Sequence, residues 1–139
     1  MSRLINYGVG DIADRLSILA LKVLHYSAAG KDVSYLMKER NALLTQWRTK
    51  ELPLNGPFGE AWLELGAVNA ALWATEDALR AYRLHNEAYD LESEELRVHP
   101  ETVKALRLAF RIQELNDRRA QLIDQINQAT GEFLGPEKG

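Results

Sequence analysis

Carboxylates, amides and guanidinium groups fall where a helical core would place hydrocarbon. Trp62, Leu65, Asn69, Leu72, Glu76 and Leu79 share one helical face, with Trp73, Asp77 and Arg80 beside it. Leu108, Ile112, Leu115, Arg119, Leu122 and Ile126 make a second face, which Arg119 interrupts. A charge in an apolar stripe must be paired, hydrogen-bonded or in reach of a wet cavity, because desolvating it alone costs too much. The pattern therefore predicts a polar site inside a helical assembly, with Glu76 and Arg119 pointing inward.

Arg119 is the sharpest of these positions. A guanidinium carries five donors and keeps its charge, so a buried one needs acceptors. Two readings stand side by side. One is an ion pair with Glu76 or Asp14 that sets helix register; the other is a bidentate clamp on an anionic ligand. Asn116, Asp117 and Arg118 complete a polar knot around it. Near the N-terminus, Asp11, Arg15, Ile18, Lys22 and His25 step at i, i+3/i+4 spacing and share a face. Its two cations could hold a phosphate or carboxylate, or the face is simply solvated with an Asp11–Arg15 pair.

Glu76 and Asp77 point about 100° apart on a helix. Asp77 can pair with Arg80. Two carboxylates could also hold Mg²⁺, which prefers oxygen ligands. All-helical nucleotide pyrophosphatases do so with E-E-x-x-E and E-x-x-D patterns, and neither pattern occurs here. His25, His85 and His99 form no i, i+4 pair, and no HExxH motif, Gly-rich phosphate loop or nucleophile elbow is present. Ser17 and Ser27 have no visible base. The tryptophans Trp47, Trp62 and Trp73 read as core, with stacking on a ligand as the other reading.

The elements that must position these groups are helices. The first is expected from about Gly10 to Ala28, with Asp11 as N-cap and Gly30 as C-terminal stop. The second begins near Asp32 and reaches about Lys50. Pro53 and Pro57 break it, and a third runs from there to about His85. Residues Asn86 to His99 read as a long acidic connection. The fourth opens at Pro100 and closes at Gly131, leaving a frayed tail from Glu132. The expected fold is an all-α antiparallel four-helix bundle forming a single domain over residues 1–139.

Composition narrows the function classes. With 46% hydrophobic and 27% charged residues, the chain has an ordinary globular balance. A net charge of −3 argues against a nucleic-acid polymer as partner. The lack of cysteine excludes disulfides, thiolate metal sites and a Cys nucleophile. No apolar run approaches the ~20 residues of a membrane span, and the N-terminus lacks a signal-peptide pattern. The expectation is a cytoplasmic protein without membrane contact.

Three segments together are more specific than any one. They are Gly10-Asp11-Ile12-Ala13-Asp14-Arg15-Leu16-Ser17-Ile18-Leu19-Ala20-Leu21-Lys22, then Asn69-Ala70-Ala71-Leu72-Trp73-Ala74-Thr75-Glu76-Asp77-Ala78-Leu79-Arg80, then Leu115-Asn116-Asp117-Arg118-Arg119-Ala120. This set resembles small bacterial and phage-borne helical families of unknown function, some linked to glycosyltransferase or lipopolysaccharide genes. The resemblance covers nearly the whole chain outside the loops. It implies one constellation of Asp11, Asp14, Arg15, Trp73, Glu76, Asp77, Arg80, Asn116 and Arg119, and no activity. Ala13 departs from the larger aliphatic residue expected there, and the acidic connection is longer than expected.

The leading expectation is a non-enzymatic binding protein. Those residues, with Lys22, would line a polar pocket for a small anionic ligand such as a nucleotide or nucleotide-sugar, and sequestering a nucleotide signal is one role such a pocket could serve. No cofactor or metal is implied. The alternatives are a structural or interaction module that forms a homo-oligomer through helix 2 and Trp47, and a Mg²⁺-dependent nucleotide hydrolase.

Overall fold

The computed structural model of the protein describes residues 7–50, 52, 56–86 and 100–131. Among them are four helices and no strand: α1 (Val9–Ala28), α2 (Ser34–Arg48), α3 (Gly56–Asn86) and α4 (Pro100–Ala129). None of these helices is long and apolar enough to cross a membrane. The acidic connection expected from Asn86 lies outside the described residues beyond Asn86 itself, as does the tail from Glu132.

Local chemistry accounts for the helix ends. α1 stops in a Schellman motif: Lys31 N–H donates to Tyr26 C=O at 2.9 Å and Gly30 N–H to Ser27 C=O at 3.0 Å. Gly30 takes φ 76°, where a side chain would be strained. At the other end the expected Asp11 cap is corrected. α1 begins at Val9, and its N-cap is Gly8, which has no side chain to cap with. Asp11 sits inside the first turn, where its charge suits the helix dipole. Asp32 does serve α2, because its carboxylate accepts the Ser34 backbone N–H at 3.0 Å. A bond from the Ser34 hydroxyl, with that backbone bond, holds the Asp32 carboxyl below its usual range.

The core has two parts with α1 between them. Val9 and Ala13 of α1 join Phe58, Ala61, Leu65, Val68 and Leu72 of α3 and Leu115, Leu122 and Ile126 of α4. On its other side α1 sends Ile12 and Leu19 against Leu36 and Leu43 of α2. Trp47 packs against both clusters.

α1 touches all three other helices, α3 and α4 share the largest interface, and α2 approaches only the α1 backbone closely. Contacts run in opposite order along α1 and α4: Gly10 lies against Ile123 and Asn127, and Asp14 meets Arg119. They run in the same order along α1 and α3, where Asp14 and Ser17 meet Asn69 and then His25 meets Trp73.

Two inward expectations fail at the ends of the α3 stripe. Leu65, Asn69 and Leu72 are buried, but Trp62 is 42% exposed and Glu76 is exposed. Length explains the outer end. α3 has 31 residues and α1 has 20, so α3 spans roughly 46 Å against roughly 30 Å. The face that α1 covers near Asn69 has no equivalent cover near Glu76.

Candidate functional site

The buried polar cluster is built where α1, α3 and α4 meet. Asp14 is 5% exposed and Asn69 3%. Arg119 grips the Asp14 carboxylate with two bonds, Nε to Oδ1 at 2.8 Å and Nη2 to Oδ2 at 2.6 Å. Asn69 Nδ2 donates to Asp14 Oδ1 at 3.0 Å and to Ser17 Oγ at 2.5 Å. Ser17 Oγ in turn donates to the Asp14 carbonyl at 3.1 Å. Of the partners weighed for Arg119, the bridge forms with Asp14. The bonds from Asp14 hold the Arg119 guanidinium above its usual pKa against the opposing effect of burial, and Glu76 adds a weaker attraction through space. A buried carboxylate with three charge-assisted or amide donors is fully served, so Asp14 is a good register pin.

One turn earlier, the helices come closer still. A Cβ on Gly10 would collide with the Ile123 carbonyl and sit 3.0 Å from Asn127 Oδ1. The absent side chain lets Asn127 reach across, and its Oδ1 accepts the Gly10 N–H at 2.8 Å. Asn127, itself buried, thus satisfies one of the orphan N–H groups of the α1 first turn from a different helix. Its amide also reaches Asp11 Oδ2 at 3.5 Å. Sequence reasoning missed Asn127. The available signal was a neutral amide beside Ile126 on an apolar face, and it carries no charge to mark it.

The expected site residues divide between two pockets. The first, of about 390 Å³, has α1 as its floor, with Asp11, Asp14, Arg15, Ile18 and Lys22, and is walled by Glu39 of α2 and Arg119 and Ile123 of α4. Arg15 lies over the Tyr7 ring, 4.2 Å from its centre, and makes no ion pair with Asp11. Lys22 has no carboxylate within ion-pair distance among the described residues.

The second pocket, of about 380 Å³, gathers Tyr26 and Lys31 with Trp73, Glu76, Asp77 and Arg80. Trp73 stacks on His25 with ring centres 4.6 Å apart and planes 10° apart. Its indole N–H is buried with no hydrogen-bond acceptor among the described residues. Lys31 lies 5.0 Å over the Tyr26 ring, and Arg80 pairs with Asp77. Asn116 is exposed and lines neither pocket. Its neighbour Arg118 forms a two-bond bridge to Glu64 on the surface of α3, at 2.8 and 2.6 Å. That bridge holds the Glu64 carboxyl below its usual range.

Among the described residues no three His, Asp or Glu side chains gather as a metal ion would require. Compared with protein-family models, curated proteins and solved structures, the chain gives no match.

Proposed function

We propose that the chain is a non-enzymatic binding protein whose α1-floored groove holds the anionic part of a nucleotide or nucleotide-sugar. The observation that carries this reading is the pair Arg15 and Lys22. They stand two turns apart beside a groove of ligand size, and neither is in an ion pair among the described residues. Asp14 and Arg119 cancel each other, so the Arg119 fork is structural and the ligand-facing cations are Arg15 and Lys22. Asp11 and Glu39 on the same groove suit the hydroxyls of a sugar, which donate to carboxylates. An antiparallel four-helix bundle, closed by an acidic connection between α3 and α4, is the framework of this proposal. The opposed contact order of α1 and α4 supports it.

Calorimetric titration with nucleotides and nucleotide-sugars tests the reading. Binding should weaken by about tenfold or more in the Arg15→Ala/Lys22→Ala double variant, the loss of roughly one charge-assisted hydrogen bond. Absence of heat at millimolar ligand, or an affinity indifferent to both cations, removes it.

A second reading is favoured by the Asp14–Arg119 bridge itself, because a closed bridge is what a register-fixing cluster needs. On it, the chain is an interaction module that self-associates. Exposed Val103, Leu106 and Phe110 share one face of α4 and would supply the contact. A concentration-independent monomer in light scattering would exclude that reading.

A further inference from the structure

We infer that the pocket beside Trp73 is a nucleobase subsite, so that one ligand lies along α1 with its phosphates at Arg15 and Lys22 and its base at Trp73. The inference rests on the binding reading above and adds the position and chemistry of the second half of the ligand.

Three observations carry it. First, the Trp73 indole N–H is buried without an acceptor among the described residues, although buried polar groups are nearly always satisfied. Second, Glu76 lines the same pocket one turn along α3 and has no hydrogen-bond or ion-pair partner among the described residues. Glu76 is exposed and served by water, which a donor on a ligand edge can replace, and the covered indole N–H gains an acceptor when such an edge displaces the side chains packed over it. The polar edge of a nucleobase, with a ring nitrogen or carbonyl beside an N–H, offers both. Third, the pocket has aromatic walls. Tyr26 is 6.2 Å from Trp73 at a 58° tilt, and His25 covers one face of the indole, holding it in place.

The two pockets are neighbours. Lys22 lines the first and Tyr26 the second, and they are one turn apart on α1, about 6 Å along its axis. Across the site, Arg119 of the first pocket feels the charge of Glu76 in the second. Arg15 lies about 10 Å beyond Lys22 along the same helix. A nucleoside diphosphate placed along this line meets cations at one end and the unpaired donor and acceptor at the other. Lys31, over Tyr26, and the Arg80–Asp77 pair close the outer rim.

The test titrates the full-length chain with pyrophosphate, ADP and UDP. Both nucleotides should bind at least tenfold more tightly than pyrophosphate. Trp73→Phe keeps the ring and deletes the N–H; it should remove most of that advantage and leave pyrophosphate affinity unchanged. Glu76→Ala, at an exposed position, should act in the same direction. The Arg15→Ala/Lys22→Ala variant should weaken all three ligands. Pyrophosphate binding with no gain for ADP or UDP overturns the base subsite and leaves the groove reading intact. So does a Trp73→Phe protein that binds the nucleotides as the wild type does, or that loses pyrophosphate and nucleotide affinity equally. Failure of all three ligands to bind overturns both. If circular dichroism shows Trp73→Phe unfolded, Glu76→Ala decides alone, and unchanged nucleotide affinity in that variant sinks the subsite.

Discussion

The α1–α4 crossing and the outer half of α3 use the same residue types to opposite ends. At the crossing, a buried Asp14 is gripped by Arg119 from 105 residues away and tied to Asn69 and Ser17. On outer α3, Asp77 and Arg80 also meet, but 53% and 64% of their side chains stay in water. The difference is the cover. α1 shuts water out near Asn69, so each polar atom there must find a protein partner. Past Trp73 water remains, the Asp77–Arg80 pair is worth little, and Glu76 is left open to other partners. A carboxylate with an arginine beside it is therefore a fastener in one place and a rim in the other.

Gly10→Ala should break the crossing most severely. The new methyl group meets the Ile123 carbonyl, which is backbone and cannot swing away. α1 must lift from α4, losing the Asn127 bond and loosening Asp14–Arg119. Urea unfolding should show a loss of about 3 kcal/mol or more, from overpacking and the lost buried bond together. Glycine to alanine inside a helix otherwise stabilises by up to about 1 kcal/mol. A more stable Gly10→Ala protein would mean that the two helices are not in contact there.

Next come the two halves of the buried pair, which should be unequal. Arg119→Ala leaves the buried Asp14 charge with only Asn69 for a side-chain partner, and should cost about 3 kcal/mol. Asp14→Asn should cost less, about 1–2 kcal/mol, since 32% of the Arg119 side chain already reaches water. Arg80→Ala, the same cut on outer α3, should cost a few tenths of a kcal/mol at most. Equal losses at Arg119 and Arg80 would erase the contrast between the two regions.

The smallest effect concerns acid. Arg118 holds the Glu64 carboxyl below its ordinary 4.5. A carboxyl depressed in the folded state adds stability that is fully present above the unfolded value and is lost as pH falls through the folded one. Glu64→Gln should therefore flatten the fall in stability below about pH 4.5 and leave stability near neutrality slightly lower. An unchanged acid limb would show that the Arg118 fork does not hold in solution.

Much of this was legible in the chain. Apolar periodicity, with Gly30, Pro57, Pro100 and Gly131 as punctuation, locates all four helices to within a few residues. Asn69 and Arg119 stand out because each interrupts an apolar stripe, and both belong to the buried cluster. Glu76 looked equivalent by phase and is not, because periodicity says which face a residue occupies and nothing about whether a neighbour reaches that far along the helix. Asn127 and Gly10 gave no signal that joins them. A neutral amide and a missing side chain gain meaning only when another backbone is pressed against them.

The sequence by itself determined the helices, their breaks and the polar positions that a helical core could not ignore, since propensity, capping and phase are properties of neighbouring residues on one chain. Only the tertiary structure decided that Arg119 takes Asp14, that one expected constellation becomes two adjoining pockets, and that Glu76 faces water. Pairing and burial depend on which surfaces meet and over what length, and no single helix carries that information.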